Sequence, residues 1–108
     1  MLTKFWIEKA WGDQVENVII HDVHQAIAEM IKMDEEHGAF WIGNYEDENV
    51  LEVHQDLRIF FASNDEVIEQ LSVQLGSWTE VTDLFQRFLN KQFQEIRSFI
   101  KAKNELRL

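Results

Sequence analysis

Residues 77–100, SWTEVTDLFQRFLNKQFQEIRSFI, decide how this chain is read. Ser77 followed three residues later by Glu80 forms a capping box: the hydroxyl accepts a backbone N–H of the first turn and the carboxylate reaches back. After it Val81, Leu84, Phe85, Phe88, Leu89, Phe93, Ile96, Phe99 and Ile100 recur at i, i+3, i+4 and i+7. The spacing predicts one long C-terminal amphipathic helix of about six turns. Burying each large side chain contributes roughly 1.5–3 kcal/mol. A face this wide has to be covered, and a sheet is what the rest of the chain can supply. The opposite face carries Arg87, Lys91, Arg97, Lys101 and Lys103.

Working outward, residues 3–11 hold Phe5, Ile7 and Trp11 with Lys4, Glu8 and Lys9 between or opposite, a strand pattern. Gly12-Asp13 is a turn signal, and residues 15–21 (VENVIIH) read as a second strand. Asp22 with Gln25 makes a capping-box-like start to a helix in which Ala26, Ile27, Met30 and Ile31 repeat at helical spacing. Gly38 stops it after Asp34-Glu35-Glu36. Residues 39–45 (AFWIGNY) are apolar on both faces, as in a central or doubly covered strand. Gly43 within it points to a bulge or a close backbone approach.

Glu46-Asp47-Glu48-Asn49 reads as a hairpin turn. Residues 50–62 are one strand or two. Leu51, Val53, Leu57, Ile59 and Phe61 share one face, yet a mean strand has only about 5–6 residues, and no Gly or Pro marks a turn near Gln55-Asp56. Ser63-Asn64-Asp65-Glu66 is a further turn, and residues 67–75 alternate as a strand, although Val67, Ile68, Leu71 and Leu75 also suit a helix. The resulting order is β-β-α-β-β-(β)-β-α. It predicts a single α+β domain over residues 1–108: a mostly antiparallel sheet of five to six strands, one helix after strand 2, and the long C-terminal helix packed on the sheet.

Twenty acidic side chains against ten basic ones give a net charge of −10, unevenly distributed. Residues 1–66 hold fifteen carboxylates against Lys4, Lys9, Lys32 and Arg58, whereas residues 67–108 hold five against six. Single-sign excess destabilises a compact state by self-repulsion, and it attracts basic partners. Phosphates are repelled, which argues against nucleic acid or an anionic membrane as ligand. Four Trp, eight Phe and one Tyr supply ample material for a core. Cysteine is absent, so a reducing compartment is the natural home. The N-terminus, MLTKFWIEKAWGD, has no apolar signal core, and no apolar run approaches about 18 residues. The expectation is a cytoplasmic protein.

Little points to catalysis. His21 and His24 are close, but neither His37 nor His54 completes a zinc motif, so no metal is expected. Ser63, Ser72, Ser77 and Ser98 lie in no nucleophile elbow, and no phosphate-binding loop is present. Acid–base work needs one carboxyl in an apolar setting and another outside it, and these acids cluster in polar turns. Neither an enzyme nor a cofactor is expected. Trp6, Trp11, Phe40, Trp41, Phe60 and Phe61 lie on predicted strands, where packing is the default role. Trp41 and Tyr45 share one strand face next to the acidic turn; exposed, they make a rigid anchor for a partner. With a turn near Asp56, Glu46-Asp47-Glu48 and Asp65-Glu66 gather at one end of the sheet, and Asp13, Glu16, Asp34-Glu35-Glu36 and Asp56 at the other. One unbroken strand moves Asp65-Glu66 to the second pole. The candidate contact set is Trp41, Tyr45, Glu46, Asp47, Glu48, Asp65 and Glu66.

The stretch Val18-Ile19-Ile20-His21-Asp22-Val23-His24-Gln25-Ala26-Ile27, followed by Gly38-Ala39-Phe40-Trp41-Ile42-Gly43, resembles the strand–helix–strand layout of Imm1-type families. In size, acidity and lack of catalytic motifs the chain is similar to bacterial immunity proteins of polymorphic toxin and contact-dependent growth-inhibition systems. That resemblance implies a tight one-to-one complex with a cognate toxin domain, often a basic nuclease, blocked at or beside its active site. The rival expectations are a regulatory module that forms homodimers through a sheet edge or the long helix, and a small ligand-binding domain.

Overall fold

Period-two alternation divides the sheet residues between two environments. In the computed structural model, which describes residues 5–46, 49–62 and 70–105, the strands are β1 (Phe5–Lys9), β2 (Gln14–Glu16), β3 (Ala39–Asn44), β4 (Val50–His54), β5 (Arg58–Ala62) and β6 (Gln70–Gln74). They form one antiparallel sheet in the order β2-β1-β3-β4-β5-β6. Phe5, Ile7, Phe40, Ile42, Leu51, Val53, Ile59, Phe61 and Val73 point to one side and are buried there. The three helices α1 (Ile20–Met30), α2 (Trp78–Leu89) and α3 (Phe93–Glu105) cover that side, contributing Val23, Ala26, Met30, Val81, Leu84, Phe85, Phe88, Ile96 and Ile100 to the same core. The α+β class and the antiparallel sheet agree with the sequence reading, and residues 50–62 are two strands.

The turn between β4 and β5 was hard to read because its strained position is not a glycine. Leu57 adopts φ +69°, the left-handed residue that ends a three-residue hairpin loop, and its side chain is held half-buried against the core. The Asp56 carboxylate accepts the Arg58 backbone N–H at 3.0 Å and fixes the turn. Gln55 then reaches across the molecule. Its amide donates to the carbonyls of Met30 (2.7 Å) and Met33 (2.5 Å), tying the turn to the C-terminal end of α1.

Two boundaries differ from the sequence reading. The expected strand over residues 15–21 is cut to Gln14–Glu16, because Asn17 turns the chain at φ +54° and Ile20-His21 already belong to α1. Asp22 is therefore the third helical residue instead of the cap. Its carboxylate accepts the Ile19 backbone N–H at 2.9 Å. The β-branched run Val18-Ile19-Ile20 imitates a strand, but tertiary packing overrides that propensity. Ile31, assigned to the buried stripe, is 52% exposed because the helix ends at Met30.

The long C-terminal helix is two helices. Asn90-Lys91-Gln92 breaks it, with Lys91 at φ +60°. A straight 24-residue helix would run about 36 Å, whereas six strands span only about 24 Å across a sheet. Folding back lets both halves bury their apolar residues. The apolar spacing continues in phase across the break, so periodicity alone could not show it. Glu80 joins the two ends of this hairpin: its carboxylate accepts the Gly76 N–H at 3.0 Å and pairs with Lys103 of α3 at 2.7 Å. Those two contacts, Lys103 first, hold its carboxyl below the usual range. Ser77 caps α2 as expected, accepting the Glu80 N–H at 3.3 Å, but Glu80 reaches back to Gly76 instead of the Ser77 N–H, so only half of the expected capping box forms.

Candidate interaction face on the open side of the sheet

Among the described residues no helix covers the second face of the sheet. The residues of opposite parity emerge there in two cross-strand rows. One runs Gln14, Glu8, Trp41, Glu52, Phe60, Ser72; the next runs Glu16, Trp6, Gly43, Val50, Ala62. Trp6, Trp41, Val50, Glu52 and Phe60 are half-buried there, and Glu8 and Glu16 are exposed. An antiparallel sheet with one wet face normally presents polar residues on it, so two indoles and a phenyl ring amid three carboxylates are a departure from that pattern.

The rings are held in place. Gly43 is a notch: a Cβ built there would stand 2.0 Å from the Trp6 indole, so only glycine lets the ring lie against the β3 backbone. This is the close backbone approach expected of Gly43. The Trp41 indole N–H donates to the Glu52 carboxylate. The other Glu52 oxygen lies 2.5 Å from His54 Nε2, and the His54 ring meets Phe60 edge-on at 5.4 Å. Tyr45, just beyond β3, is 56% exposed. Its hydroxyl donates to both Glu16 oxygens (3.0 and 3.2 Å), and its ring lies 6.4 Å from Trp6. The bond to Glu16 raises the phenol pKa and keeps the proton on the donor.

The expected contact set is partly assembled here. Trp41 and Tyr45 do share the open face, but Gly43 with Trp6 lying over it separates them. Glu46 is engaged within the molecule, its carboxylate 2.9 Å from Lys91 Nζ. Asp47, Glu48, Asp65 and Glu66 lie outside the described residues. Glu16 was expected at the pole of Asp13 and Asp56. Because β2 is only three residues long and Glu16 pairs with Trp6, it stands instead at the Tyr45 end. The sequence reading missed Trp6, Glu8, Glu16 and Glu52 as site residues. The signal was available in the strand alternation of Trp6 and Glu8, and of Glu52 and His54, but single carboxylates inside strands attract less notice than runs in turns.

Among the described residues Glu8 and Glu16 have no Lys or Arg within 4.0 Å, whereas Glu52 lies against His54. Lys9, Arg58, Arg87, Lys91 and Lys103 each sit within 4.0 Å of a carboxylate elsewhere. Arg58 shares the open-face parity of Phe60 and lies 3.6 Å from Asp56. Lys9 is buried, but exposed pairs such as those of Arg87 and Lys91 contribute about 0–1 kcal/mol each, so their main effect is to neutralise charge on the helical side. A shallow groove of about 150 Å³ runs between Trp6, Glu8, Gln14, Glu16 and Tyr45. Among the described residues no group of three or more His, Asp or Glu is arranged to hold a metal ion, and no helix is long and apolar enough to cross a membrane.

At the opposite pole the Asp34 carboxylate accepts the His37 backbone N–H at 2.9 Å and lies 2.8 Å from His37 Nδ1. The His37 pKa is raised by that side-chain bond, and the Asp34 pKa is lowered by the same contact. The His37 contribution is complete below its unfolded value and fades as pH rises through the raised folded value. The Asp34 contribution is present above its unfolded value and fades as pH falls through the depressed one. The turn is therefore tightest in between. In an NMR titration His37 is expected to show a midpoint above the ordinary value of about 6.5, returning toward it in Asp34→Asn. An unshifted midpoint in the parent protein would dissolve the pair.

Compared with protein-family models, curated proteins and solved structures, the chain matches none.

Proposed function

We propose that the protein works by binding, without catalysis: an immunity-type inhibitor that holds a basic protein, such as a nuclease toxin domain, in a one-to-one complex in the cytoplasm. The observation that carries this reading is the open sheet face, where Trp6, Trp41 and Phe60 stand among Glu8, Glu16 and Glu52. Aromatic side chains supply most of the energy at interface centres, and surrounding charge sets the partner and the association rate. A toxin domain that binds phosphate backbones presents the complementary positive surface. A homodimer face to face is disfavoured, since it would set these carboxylates against their own copies. The acidic excess of residues 1–66 adds to the field that attracts such a partner.

The test is co-expression and co-purification with the protein encoded by the adjacent gene, followed by stopped-flow association kinetics. Neutralising Glu8, Glu16 and Glu52 to Gln is expected to slow association about tenfold and to flatten its salt dependence. The same treatment of residues 46–48 should do less, since Glu46 is already paired with Lys91. A neighbour that is no toxin, together with no protection on co-expression, would sink the proposal.

A further inference from the structure

We infer that the groove between β1 and β2 is a receptor for an arginine side chain of the partner protein, with Trp6 and Tyr45 as walls and Glu8 and Glu16 as counter-charges. The inference rests on the binding reading above and assigns the anchor within it. The two rings lie 6.4 Å apart at an interplanar angle of 55°, forming an open V above the sheet. Trp6 keeps its wall position because Gly43 gives it a seat. Glu16 is oriented by a neutral donor, the Tyr45 hydroxyl, at 3.0 Å, so its charge is directed but not cancelled. Glu8, on the other side of Trp6 along β1, makes no hydrogen bond or ion pair with any described residue. Among the described residues no basic side chain lines the groove.

The size suits one side chain. A volume of about 150 Å³ is that of roughly five waters, too little for a nucleotide. Chemistry selects arginine over lysine. A guanidinium is planar, weakly hydrated and able to stack on an indole while its N–H groups bond a carboxylate in pairs. A compact ammonium keeps its water and cannot stack flat. A second copy of this chain is excluded as occupant by like charge, with −10 on each molecule.

The experiment uses the intact protein and needs no partner. The blocked peptide Ac-Gly-Arg-Gly-NH2 is titrated while the Trp indole N–H resonances are followed, Trp6 being assigned with Trp6→Phe. The expected result is a saturable shift at Trp6 with a dissociation constant on the order of 1–10 mM, as stacking and one charged pair in water provide. The neutral isostere with citrulline in place of arginine should produce no shift, and the lysine peptide should bind at least about threefold more weakly. Glu8→Gln with Glu16→Gln, both surface changes that leave the core untouched, should abolish saturation. An equal response to the citrulline peptide, or saturation that survives the double change, overturns the arginine site. So does a flat titration. If the peptide fails while the cognate partner still co-purifies, the anchor lies elsewhere and the binding reading stands. If the peptide binds but no partner is found, the reverse holds.

Discussion

Phe88→Ala is expected to lower the unfolding free energy by about 3–5 kcal/mol, the range for truncating a buried phenylalanine. Phe88 is fully buried on α2, and three of the elements around it meet through its ring. Phe5 of β1 stands 5.8 Å away, Phe61 of β5 6.5 Å, and Phe93 of α3 5.2 Å, all edge-on. Aromatic pairs of this geometry add about 0.5–1.5 kcal/mol beyond their area. The cavity would open between sheet and helices, where no single side chain can move to fill it. A domain of this size has about 5–15 kcal/mol in hand, so the variant should lose roughly a fifth or more of its stability and melt at markedly lower urea. Phe99→Ala, at a half-buried position on α3, serves as the comparison and should cost less. A shift of under 1 kcal/mol for Phe88→Ala would show that the helices and the sheet do not share one core.

Gly43→Val is the second large effect, and here two terms oppose each other. Valine is favoured over glycine in a strand by up to about 1 kcal/mol. Reducing the freedom of the unfolded chain adds about 0.4–1 kcal/mol in the same direction. Against these, the new Cβ would overlap the Trp6 ring at 2.0 Å, which is no contact at all, and the indole has to leave its seat. Overfilling of this sort costs about 1–3 kcal/mol, and the displaced ring loses apolar burial at about 25 cal/mol per Å². The steric term wins, with a net loss of about 1–2 kcal/mol and a red-shifted Trp emission. In a Trp6→Ala background the obstruction is gone, and Gly43→Val should turn neutral or stabilising. That reversal is what a double-mutant cycle measures. An equal loss in both backgrounds would assign the strain to the β3 backbone instead.

How far the sequence revealed this molecule depended on what marks each boundary. The doubly apolar run of residues 39–45, the N-cap at Ser77 and the turn at Gly12-Asp13 are local signals, and the structure follows them. The breaks at Asn17, Leu57 and Lys91 have none. Each takes positive φ without glycine, so the usual glycine marker of such a conformation is missing at all three. The helix break at Lys91 depended on the width of the sheet, a quantity that exists only once the sheet is formed. For the candidate face, attention to acidic runs in turns drew the eye from Glu8, Glu16 and Glu52 inside strands. Those three become neighbours of Trp6, Trp41 and Tyr45 only through cross-strand register.

The two-row arrangement of the open face has a consequence for how such a protein can change. On β1, β3, β4 and β5 one parity of residues builds the core and the other meets the outside, with the backbone between them. Substitutions at Glu8, Trp41, Glu52 or Phe60 are therefore separated from Phe40, Leu51 and Phe61 by a full strand thickness, and their effects on stability and on recognition should add independently. Gly43 is the exception, since it belongs to the recognition parity yet fixes how closely Trp6 approaches the backbone. A lineage carrying this sheet is free to rewrite its recognition surface residue by residue, provided that one position stays without a side chain.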